Sequence, residues 1–440
     1  MRSPRGAWRW LLRKEWRELM TSRSWWILLA LTGPLVGMSF ISAVNTYAEV
    51  SGGAGTGCGA VCDPLIGIWA PTFGAYELIA VFLLPFVAIR LVSGDRQSGA
   101  LLLELQQPIP AIARMATKGL VLIAGCLIAG SAALVAILLW KMYGGAVNLL
   151  EIAVVSLGHL LNAGITIAIA MAAASMAEHP STAAIATLGV TVGTWIVDFV
   201  AAIHGGFWQR VADVTPTALV DRFQHGLIEV NVTLVALTVI VAGLVWGAVW
   251  LRLGTPVRRR ALESVAVCGA ASIVLLAVIH IRGSADASEA RLNSFPEPVE
   301  AALAGITAPV AIDVHLAPTD PRRLELDRVA LAKLRRVMPG AVITYTARSS
   351  SGLYESADPG YGEIHYRIGD KETIGRAVTE EAVIEAILGL AAVAPSQEQE
   401  AEFAGHPLVA RAVGAPAVFY VAWPAGAALI GFLVSTRRSS

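Results

Sequence analysis

Residues 74–119 read GAYELIAVFLLPFVAIRLVSGDRQSGALLLELQQPIPAIARMATKG. The first part, 74–93, is predominantly apolar and long enough to cross a bilayer core, which needs about 20 helical residues. The second part, 94–118, is amphipathic, carries charge at both ends and leads into another apolar run. Two spans joined by an amphipathic surface segment predict a multi-pass membrane protein.

The composition of the whole chain agrees with this prediction. Of its 440 residues, 55% are hydrophobic and only 15% charged, whereas soluble domains are about one quarter charged. We therefore predict a mainly α-helical, polytopic membrane protein with about eight transmembrane helices and a small α/β extracytoplasmic domain. The predicted spans are 25–47, 74–93, 119–142, 151–176, 181–203, 231–252, 263–281 and 416–435.

The distribution of Lys and Arg predicts the orientation of these spans. If the N-terminus is cytoplasmic, the inside segments hold 17 of these residues, and the short outside connections 48–73 and 143–150 hold none. Cytoplasmic loops carry this excess in membrane proteins. We expect both termini to lie in the cytoplasm.

One long polar segment, 282–415, falls outside by this alternation. VAIDVHLA, AVITYTAR and GEIHYRI are typical of strands, and two apolar-periodic stretches predict helices, one of them opened by Thr379. The first helix has Leu324, Val329, Leu331 and Leu334 available for burial. A strand–helix–strand order predicts a small α/β domain with a parallel strand pair.

These features divide the chain into five predicted parts. They are a cytoplasmic interfacial elbow helix at 1–24, a six-span domain at 25–255, a basic connector and seventh span at 256–281, the extracytoplasmic domain at 282–415, and the eighth span with its tail at 416–440.

The N-terminal stretch AWRWLLRKEWRELMTSRSWW favours an interfacial helix on the inner leaflet, with tryptophans at headgroup depth. Generic basic anchoring is the alternative. The part containing Lys14, Glu15 and Arg17 also resembles the elbow helix of ABC transporter type-2 permeases.

Two further motifs carry this resemblance. After the second span the family shows an Arg, an acidic residue, a Gly-Thr-Leu-Glu-Leu-Leu-like run, a Pro and a Lys; this chain departs from it mildly at Asp95 and Ala100. Before the sixth span, TALVDRFQHGLIEVN is similar to another family segment. The matching positions are Arg90, Asp95, Gly99, Leu101, Leu103, Pro108, Lys118, Phe223, Gly226, Ile228 and Glu229.

Segment 282–415 and its flanking spans resemble a different group, the gliding-motility-associated ABC transporter subunits. The chain is thus similar to a six-span type-2 permease fused to a two-span module that carries an outer domain.

The sequence has no G-x-x-x-x-G-K-[ST] loop, so we expect no ATPase site and no bound cofactor here, with ATP and Mg on a partner subunit. No G-x-S-x-G or equivalent nucleophile motif accompanies Asp313 and His315, so we expect no other catalytic site. The resemblance implies that 94–118 contains the coupling helix that docks into this ATPase. An ordinary amphipathic connector is the alternative. The predicted coupling residues are Arg96, Gly99, Leu101, Leu102, Glu104, Leu105, Pro108 and Lys118, with Arg114 helping to orient the segment.

Charged side chains inside spans are costly and need a reason. Glu77, Lys141, His159 and Asp198 are candidates for a gate or pathway, through Lys141–Glu77 or His159–Asp198 pairs. Satisfied contacts between helices are the alternative.

Cys58 and Cys62 favour a local disulfide or an unremarkable loop, with a thiolate metal site as a further option. Asp313 and His315 alternate on one predicted strand and so share a face, but His315, His365 and His406 form no metal-binding motif. We therefore predict no metal site.

The resulting hypothesis is a permease subunit of an ATP-driven ABC transporter, an exporter of the bacterial cytoplasmic (inner) membrane. The implied partners are a cytoplasmic ATPase dimer, a second permease copy or related chain, membrane lipid, and a periplasmic or cell-wall partner of 282–415; no nucleic acid is expected. The alternative is an ABC-type force or signal transmitter that moves no solute.

Overall fold

The computed structural model is mainly helical with a small sheet region. It describes residues 4–54, 58–97, 99, 109–204, 206–252, 254–317, 320–346, 360–394 and 403–436. The chain forms two compact units. The first comprises 1–196, 214–287 and 404–440, and the second 197–213 and 288–403.

Among the described residues, eight helices are long and apolar enough to cross a membrane, in agreement with the predicted number of about eight. They are Arg23–Gly53, Leu65–Gln97, Ala111–Met142, Leu149–Met176, Pro180–His204, Val230–Trp250, Val257–Val278 and Ala415–Thr436. The orientation of the termini and the partition into functional domains stay predictions.

The individual elements are as follows. The α-helices are α1 (Pro4–Thr21), α2 (Arg23–Ala54), α3 (Ala70–Leu78), α4 (Leu84–Gln97), α5 (Ala111–Ala129), α6 (Ser131–Met142), α7 (Leu149–Met176), α8 (Pro180–His204), α9 (Gly206–Ala212), α10 (Pro216–Gln224), α11 (Val230–Trp250), α12 (Val257–Val278), α13 (Glu297–Ala304), α14 (Pro321–Leu326), α15 (Ala332–Val337), α16 (Glu380–Ala391), α17 (Ala415–Ala417) and α18 (Trp423–Thr436). The strands are β1 (Leu227–Glu229), β2 (Ser284–Asp286), β3 (Val310–Val314), β4 (Val342–Tyr345), β5 (Ile364–Ile368) and β6 (Lys371–Gly375). Short π-helical turns occupy Leu65–Trp69, Ile79–Leu83, Asp327–Leu331 and Val418–Ala422.

The helices on either side of the amphipathic segment extend beyond the apolar runs. Helix α4 continues to Gln97 and α5 begins at Ala111, so both ends of the predicted segment 94–118 lie on helices, and we call the residues between these two helices, 98–110, the connection. Hydropathy predicts which residues lie within the lipid. A helix can continue beyond these residues as long as its backbone hydrogen bonds and side-chain contacts favour it. Arg96 and Lys118 therefore lie on helices and not in the connection.

The first and last candidate spans pack closely on each other. Trp423 at the start of α18 donates its indole N–H to the Leu29 carbonyl of α2 at 2.7 Å. Phe419, one turn earlier, is fully buried. Gly33 and Gly37 of α2 make this close approach possible, because a Cβ at either would collide with Trp423 or Phe419.

The second unit contains a four-stranded sheet in the order β4-β3-β5-β6. β3 and β4 are parallel, as predicted, while β5 runs antiparallel to both β3 and β6. Helices α13 to α16 contribute to the apolar core on one face of this sheet, where Phe295, Leu303, Leu334 and Ile387 are buried. Sequence analysis did not predict β6, which is short and largely exposed.

The buried side of the helix after β3 differs from the prediction. Leu331 and Leu334 are buried as expected, but Leu324 is 53% and Val329 40% exposed, while Leu326 is buried. The π-helical turn at Asp327–Leu331 adds a residue to one turn. This insertion rotates the earlier residues around the axis, so the regular 3.6-residue spacing selects the wrong side chains.

Asp320 caps α14, and this cap gives a pH-dependent prediction. Hydrogen bonds from Arg322, through its guanidinium and its backbone N–H, both at 2.9 Å, lower the pKa of Asp320 to about 2. Since the folded-state pKa is depressed, the stabilisation is present above the unfolded pKa of about 4 and is lost toward pH 2. We expect Asp320→Ala to cost about 1 kcal/mol at neutral pH, with the difference shrinking below pH 4.

Melting temperatures of the two proteins between pH 7 and pH 3 measure this effect. Glu325→Ala, an exposed carboxylate on the same helix, is the matched control. A difference between wild type and Asp320→Ala that stays constant with pH would contradict the assignment.

Candidate functional site

A buried group of charges joins α1 to the ends of α4 and α5. We call Lys14, Glu15, Glu18, Asp95 and Lys118 the ion cluster. The Lys118 ammonium contacts Glu15 Oε2 at 2.7 Å and also the Asp95 carboxylate. Lys14 contacts Asp95 Oδ1 at 2.6 Å and both Glu15 and Glu18 at 3.2 Å. Charges from three helices are thereby fixed at one point.

Helical spacing explains how α1 supplies its part of the cluster. Leu11, Glu15 and Leu19 follow one another at four-residue intervals and are all buried. Lys14 and Glu18 form an i,i+4 pair beside them. Glu15 therefore lies in the apolar stripe of an amphipathic helix, where an unpaired carboxylate would destabilise the fold.

Lys118 is buried and its hydrogen-bonding capacity is used in full. An ammonium group has three donors. Besides Glu15 and Asp95, Lys118 donates to the Leu91 carbonyl at 3.0 Å. Burial raises the pKa of Glu15, against the opposing attraction of the Lys118 and Lys14 ammonium groups.

The carboxylates of Glu15, Glu18 and Asp95 lie close enough together to hold a metal ion. The two lysines already supply positive charge at this point. The arrangement is consequently complete as an ion network and is suited to joining helices rather than to binding a cation.

Arg96, one residue after the cluster, binds the end of a different helix. Its guanidinium donates to the Ser175 carbonyl at 2.7 Å and to the Ala177 carbonyl at 2.8 Å. These carbonyls belong to the C-terminus of α7, where backbone acceptors lack helical partners and the helix dipole favours a cation. Arg96 thus links α4 to α7 beside the connection 98–110.

A further hydrogen bond joins α1 to α5. The indole N–H of Trp8 donates to Thr117 Oγ1 at 3.1 Å, directly beside Lys118. Arg114, one turn earlier on α5, is also buried. The start of α5 therefore contacts α1 at two positions, through Thr117 and through Lys118.

The structure brings together some of the predicted residues and leaves others unplaced. Lys14, Glu15 and Lys118, predicted for two separate roles, meet in one cluster, whereas Arg17 lies on the exposed side of α1. Gly99 has φ +73°, which favours glycine. The predicted coupling residues Leu101, Leu102, Glu104, Leu105 and Pro108 lie outside the described residues.

Sequence analysis matched Asp95 to a family motif but did not assign it to this site. Glu18 was also missed. The signal was present, because three acidic and two basic residues flank apolar runs where isolated charges are costly. Nothing in the sequence indicated which pairs would meet across 81 and 103 positions.

Among the predicted gate residues, Glu77 accepts a hydrogen bond from the Trp195 indole N–H at 3.2 Å. Asn162 and Thr166 help line a cavity of about 20 Å³ beside it. That volume holds about one water molecule. A pocket of this size is too small for a solute.

The other three residues lie in different surroundings. His159 is buried, and the Gln224 side-chain amide donates to its Nε2 at 3.1 Å. Lys141 is exposed, and Asp198 is half-buried in the second unit. The proposed pairings Lys141–Glu77 and His159–Asp198 stay predictions.

Cys58 and Cys62 form a disulfide, with 5.5 Å between their Cα atoms. The short loop that it closes packs on the segment before α17. The His406 backbone N–H donates to the Cys62 carbonyl at 2.8 Å, and the Tyr47 hydroxyl lies within hydrogen-bond distance of the carbonyls of both residues. The disulfide thus lies in a packed region of the first unit, where its loop contacts Tyr47 and His406.

No protein-family model matches this sequence, and no curated protein matches it. The resemblance to type-2 ABC permeases therefore rests on the motif residues named above. The fold supports a narrower description: the part of the chain that the structure describes includes eight long apolar helices, as expected of a multi-pass membrane protein.

Proposed function

We propose that this chain is the permease subunit of an ATP-driven ABC transporter and works with a separate cytoplasmic ATPase. The observation that carries the proposal is the ion cluster together with Arg96. These contacts anchor both flanks of the connection 98–110, one through Asp95 and the other through Lys118. A segment held in this way is suited to receive force from outside the bilayer.

The proposed mechanism follows from which helices are joined. ATP and Mg bind on the partner, and closure of the ATPase dimer pushes on 98–110. Because Lys118 and Asp95 tie this connection to α1, and Arg96 ties it to α7, a displacement moves four helices together. Packed helices move as rigid bodies, so the displacement reaches the far side of the membrane.

The remaining parts of the proposal come from the resemblance and the charge pattern. A second copy of the chain or a related permease completes the pathway, and the system acts as an exporter in the bacterial inner membrane with both termini inside. Segment 282–415 faces outward and contacts a periplasmic or cell-wall partner.

Site-specific cross-linking tests this function. A photo-cross-linking amino acid at Leu105 is expected to capture a protein with a G-x-x-x-x-G-K-[ST] loop in native membranes. The same group at Val342, exposed on β4, is the matched control and is expected not to capture it. Failure of Leu105 to reach any nucleotide-hydrolysing subunit in an assembly that contains one would refute the proposal.

A second candidate, a force or signal transmitter that moves no solute, is favoured by the small size of the cavity beside Glu77. Vesicles containing the chain and its ATPase, loaded with a mixture of small bacterial metabolites, separate the two functions. ATP-dependent loss of a solute supports the transporter. ATP turnover that changes protease cleavage of 347–359 without solute loss supports the transmitter.

A further inference from the structure

A groove runs between α1 and α5, where α1 packs beside the candidate span Ala111–Met142. Its volume is about 440 Å³, which is within the roughly 300–1,000 Å³ range of sites that bind small molecules. Among the described residues, those lining the groove are apolar or aromatic apart from two arginines, and none is acidic. The proposed transport function does not use this groove.

Helix α1 supplies one wall of the groove. Residues four positions apart form a row along a helix, and neighbouring rows face different surroundings. The row that contains Glu15 is buried, whereas the next row, Leu12 and Trp16, is half-buried. The row after it, Arg13 and Arg17, is exposed. This wall therefore changes from apolar inside the groove to cationic at its edge.

Helix α5 supplies the opposite wall, which is apolar. Val121 is 1% exposed and lies at the base, while Leu120 and Ala124, one turn apart, lie nearer the surface. Leu127, two turns after Leu120, is 63% exposed and continues the same face beyond the groove. Because the predicted span 119–142 contains all four residues, this wall extends into the depth of the lipid.

The two arginines at the edge of the groove are not used within the fold. Neither the Arg13 nor the Arg17 guanidinium forms a hydrogen bond or an ion pair with another described residue. The acidic residues of α1, Glu15 and Glu18, pair instead with lysines of the ion cluster. Like charges at i and i+4 repel each other, so an anion bound between these two guanidinium groups would stabilise both.

We propose that this groove binds one anionic phospholipid of the inner leaflet, with an acyl chain between α1 and α5 and its phosphate on Arg13 and Arg17. Guanidinium groups bind phosphate through pairs of parallel hydrogen bonds. Basic pockets beside transmembrane helices on the cytoplasmic side hold anionic lipid headgroups in this way. The site requires that α5 crosses the membrane with its N-terminal end inside, and it does not require a partner ATPase.

The shape and the charge of the groove together select its occupant. Inorganic phosphate would pair with the arginines but would leave the apolar walls uncovered. A zwitterionic phospholipid would cover these walls, but its headgroup would bring another cation near Arg13 and Arg17. A lipid with net negative charge satisfies both requirements, and it would contact the same two helices that Glu15 and Lys118 join.

Native mass spectrometry of the full-length chain in detergent tests the site. Dioleoyl phosphatidylglycerol is the anionic probe, and dioleoyl phosphatidylcholine is its zwitterionic counterpart. We expect one phosphatidylglycerol per chain to bind at least about tenfold more tightly than phosphatidylcholine. Since a ligand that binds only the folded state stabilises it, phosphatidylglycerol should also raise the melting temperature. Equal binding of the two lipids overturns the proposal, because it shows only a nonspecific lipid layer.

Single arginine substitutions separate this site from generic basic anchoring. Arg9 belongs to the same exposed row as Arg13 and Arg17, but it does not line the groove. We expect Arg13→Gln and Arg17→Gln each to lower the affinity for phosphatidylglycerol at least about fivefold, while Arg9→Gln changes it little. Without added lipid, all three variants should melt at the wild-type temperature. An equal loss of affinity in Arg9→Gln overturns the proposal.

Ala124→Leu tests the apolar part of the site, because it fills the groove and leaves both arginines in place. This variant should bind phosphatidylglycerol more weakly, whereas Ala116→Leu, at an exposed position of α5 outside the groove, should bind it like wild type. Unchanged binding by Ala124→Leu overturns the proposal, as does displacement of the lipid by an equal concentration of inorganic phosphate. If Ala124→Leu instead separates a dimer that binds no lipid, the occupant is a second copy of the chain, and the proposal is also overturned.

Discussion

Replacing Lys118 with Met is expected to lower the free energy of unfolding by about 3–5 kcal/mol, because the buried Glu15 and Asp95 carboxylates lose their shared cation. Lys14 alone would then face three carboxylates. The measurement is the thermal unfolding of the purified chain in detergent. The proposed ATP-driven activity, measured with the ATPase partner, should fall in parallel if the ion cluster transmits force.

A second substitution makes this prediction specific. Adding Asp95→Asn to Lys118→Met restores the original charge balance, since Lys14 then faces Glu15 and Glu18. We expect the double variant to recover much of the lost stability. Arg17→Met removes a cation from the exposed side of α1 and should change stability by less than about 0.5 kcal/mol. A Lys118→Met protein as stable as the Arg17→Met protein would show that the cluster is dispensable.

The second large effect is expected where α2 meets the last span. A Cβ on Gly33 would lie 2.1 Å from Trp423 Cδ1, and one on Gly37 would lie 2.3 Å from Phe419 Cβ. Aromatic rings therefore occupy the space above two glycines one turn apart, as in close packing of transmembrane helices. Gly33→Ala combined with Gly37→Ala should cost at least about 3 kcal/mol, because each methyl group displaces a ring.

Helix α8 offers a matched control for these two substitutions. Gly189 and Gly193 have the same spacing, and a Cβ on either would meet no atom within 4 Å. The corresponding double alanine variant should be neutral or slightly stabilising, because alanine favours helix. Melting temperatures of the two double variants, each compared with wild type, test this difference. Similar losses in the two would mean that helix propensity, and not contact with α18, is responsible.

Span number could be predicted from the sequence because the physical requirement is local. A segment in lipid must form all its backbone hydrogen bonds within a helix and present apolar side chains to the lipid. A run of about 20 apolar residues therefore predicts a transmembrane helix. Strands β3, β4 and β5 were likewise predicted from local alternation. The π-helical turn at Asp327–Leu331 broke the local rule, and the burial of Leu324 and Val329 was mispredicted for that reason.

The pairings between distant residues could not be predicted. In the sequence, Glu15 and Lys118 resemble ordinary charged residues at the ends of apolar runs. Arg17 and Lys14 are both basic residues of the same N-terminal stretch and differ mainly in their positions. The packing of α1 against α5 makes Glu15 buried and paired while Arg17 stays exposed. The same holds for His315 and His365, which meet only because β5 pairs antiparallel with β3.

The sequence by itself predicted about eight apolar helices long enough to cross a membrane and a small α/β segment, since hydropathy and strand alternation depend on neighbouring residues. Only the tertiary structure decided which charges share a site, which glycines admit an aromatic ring and which histidines face one another. These outcomes depend on distances between elements far apart in sequence, and side-chain pairing energies act only over a few ångströms.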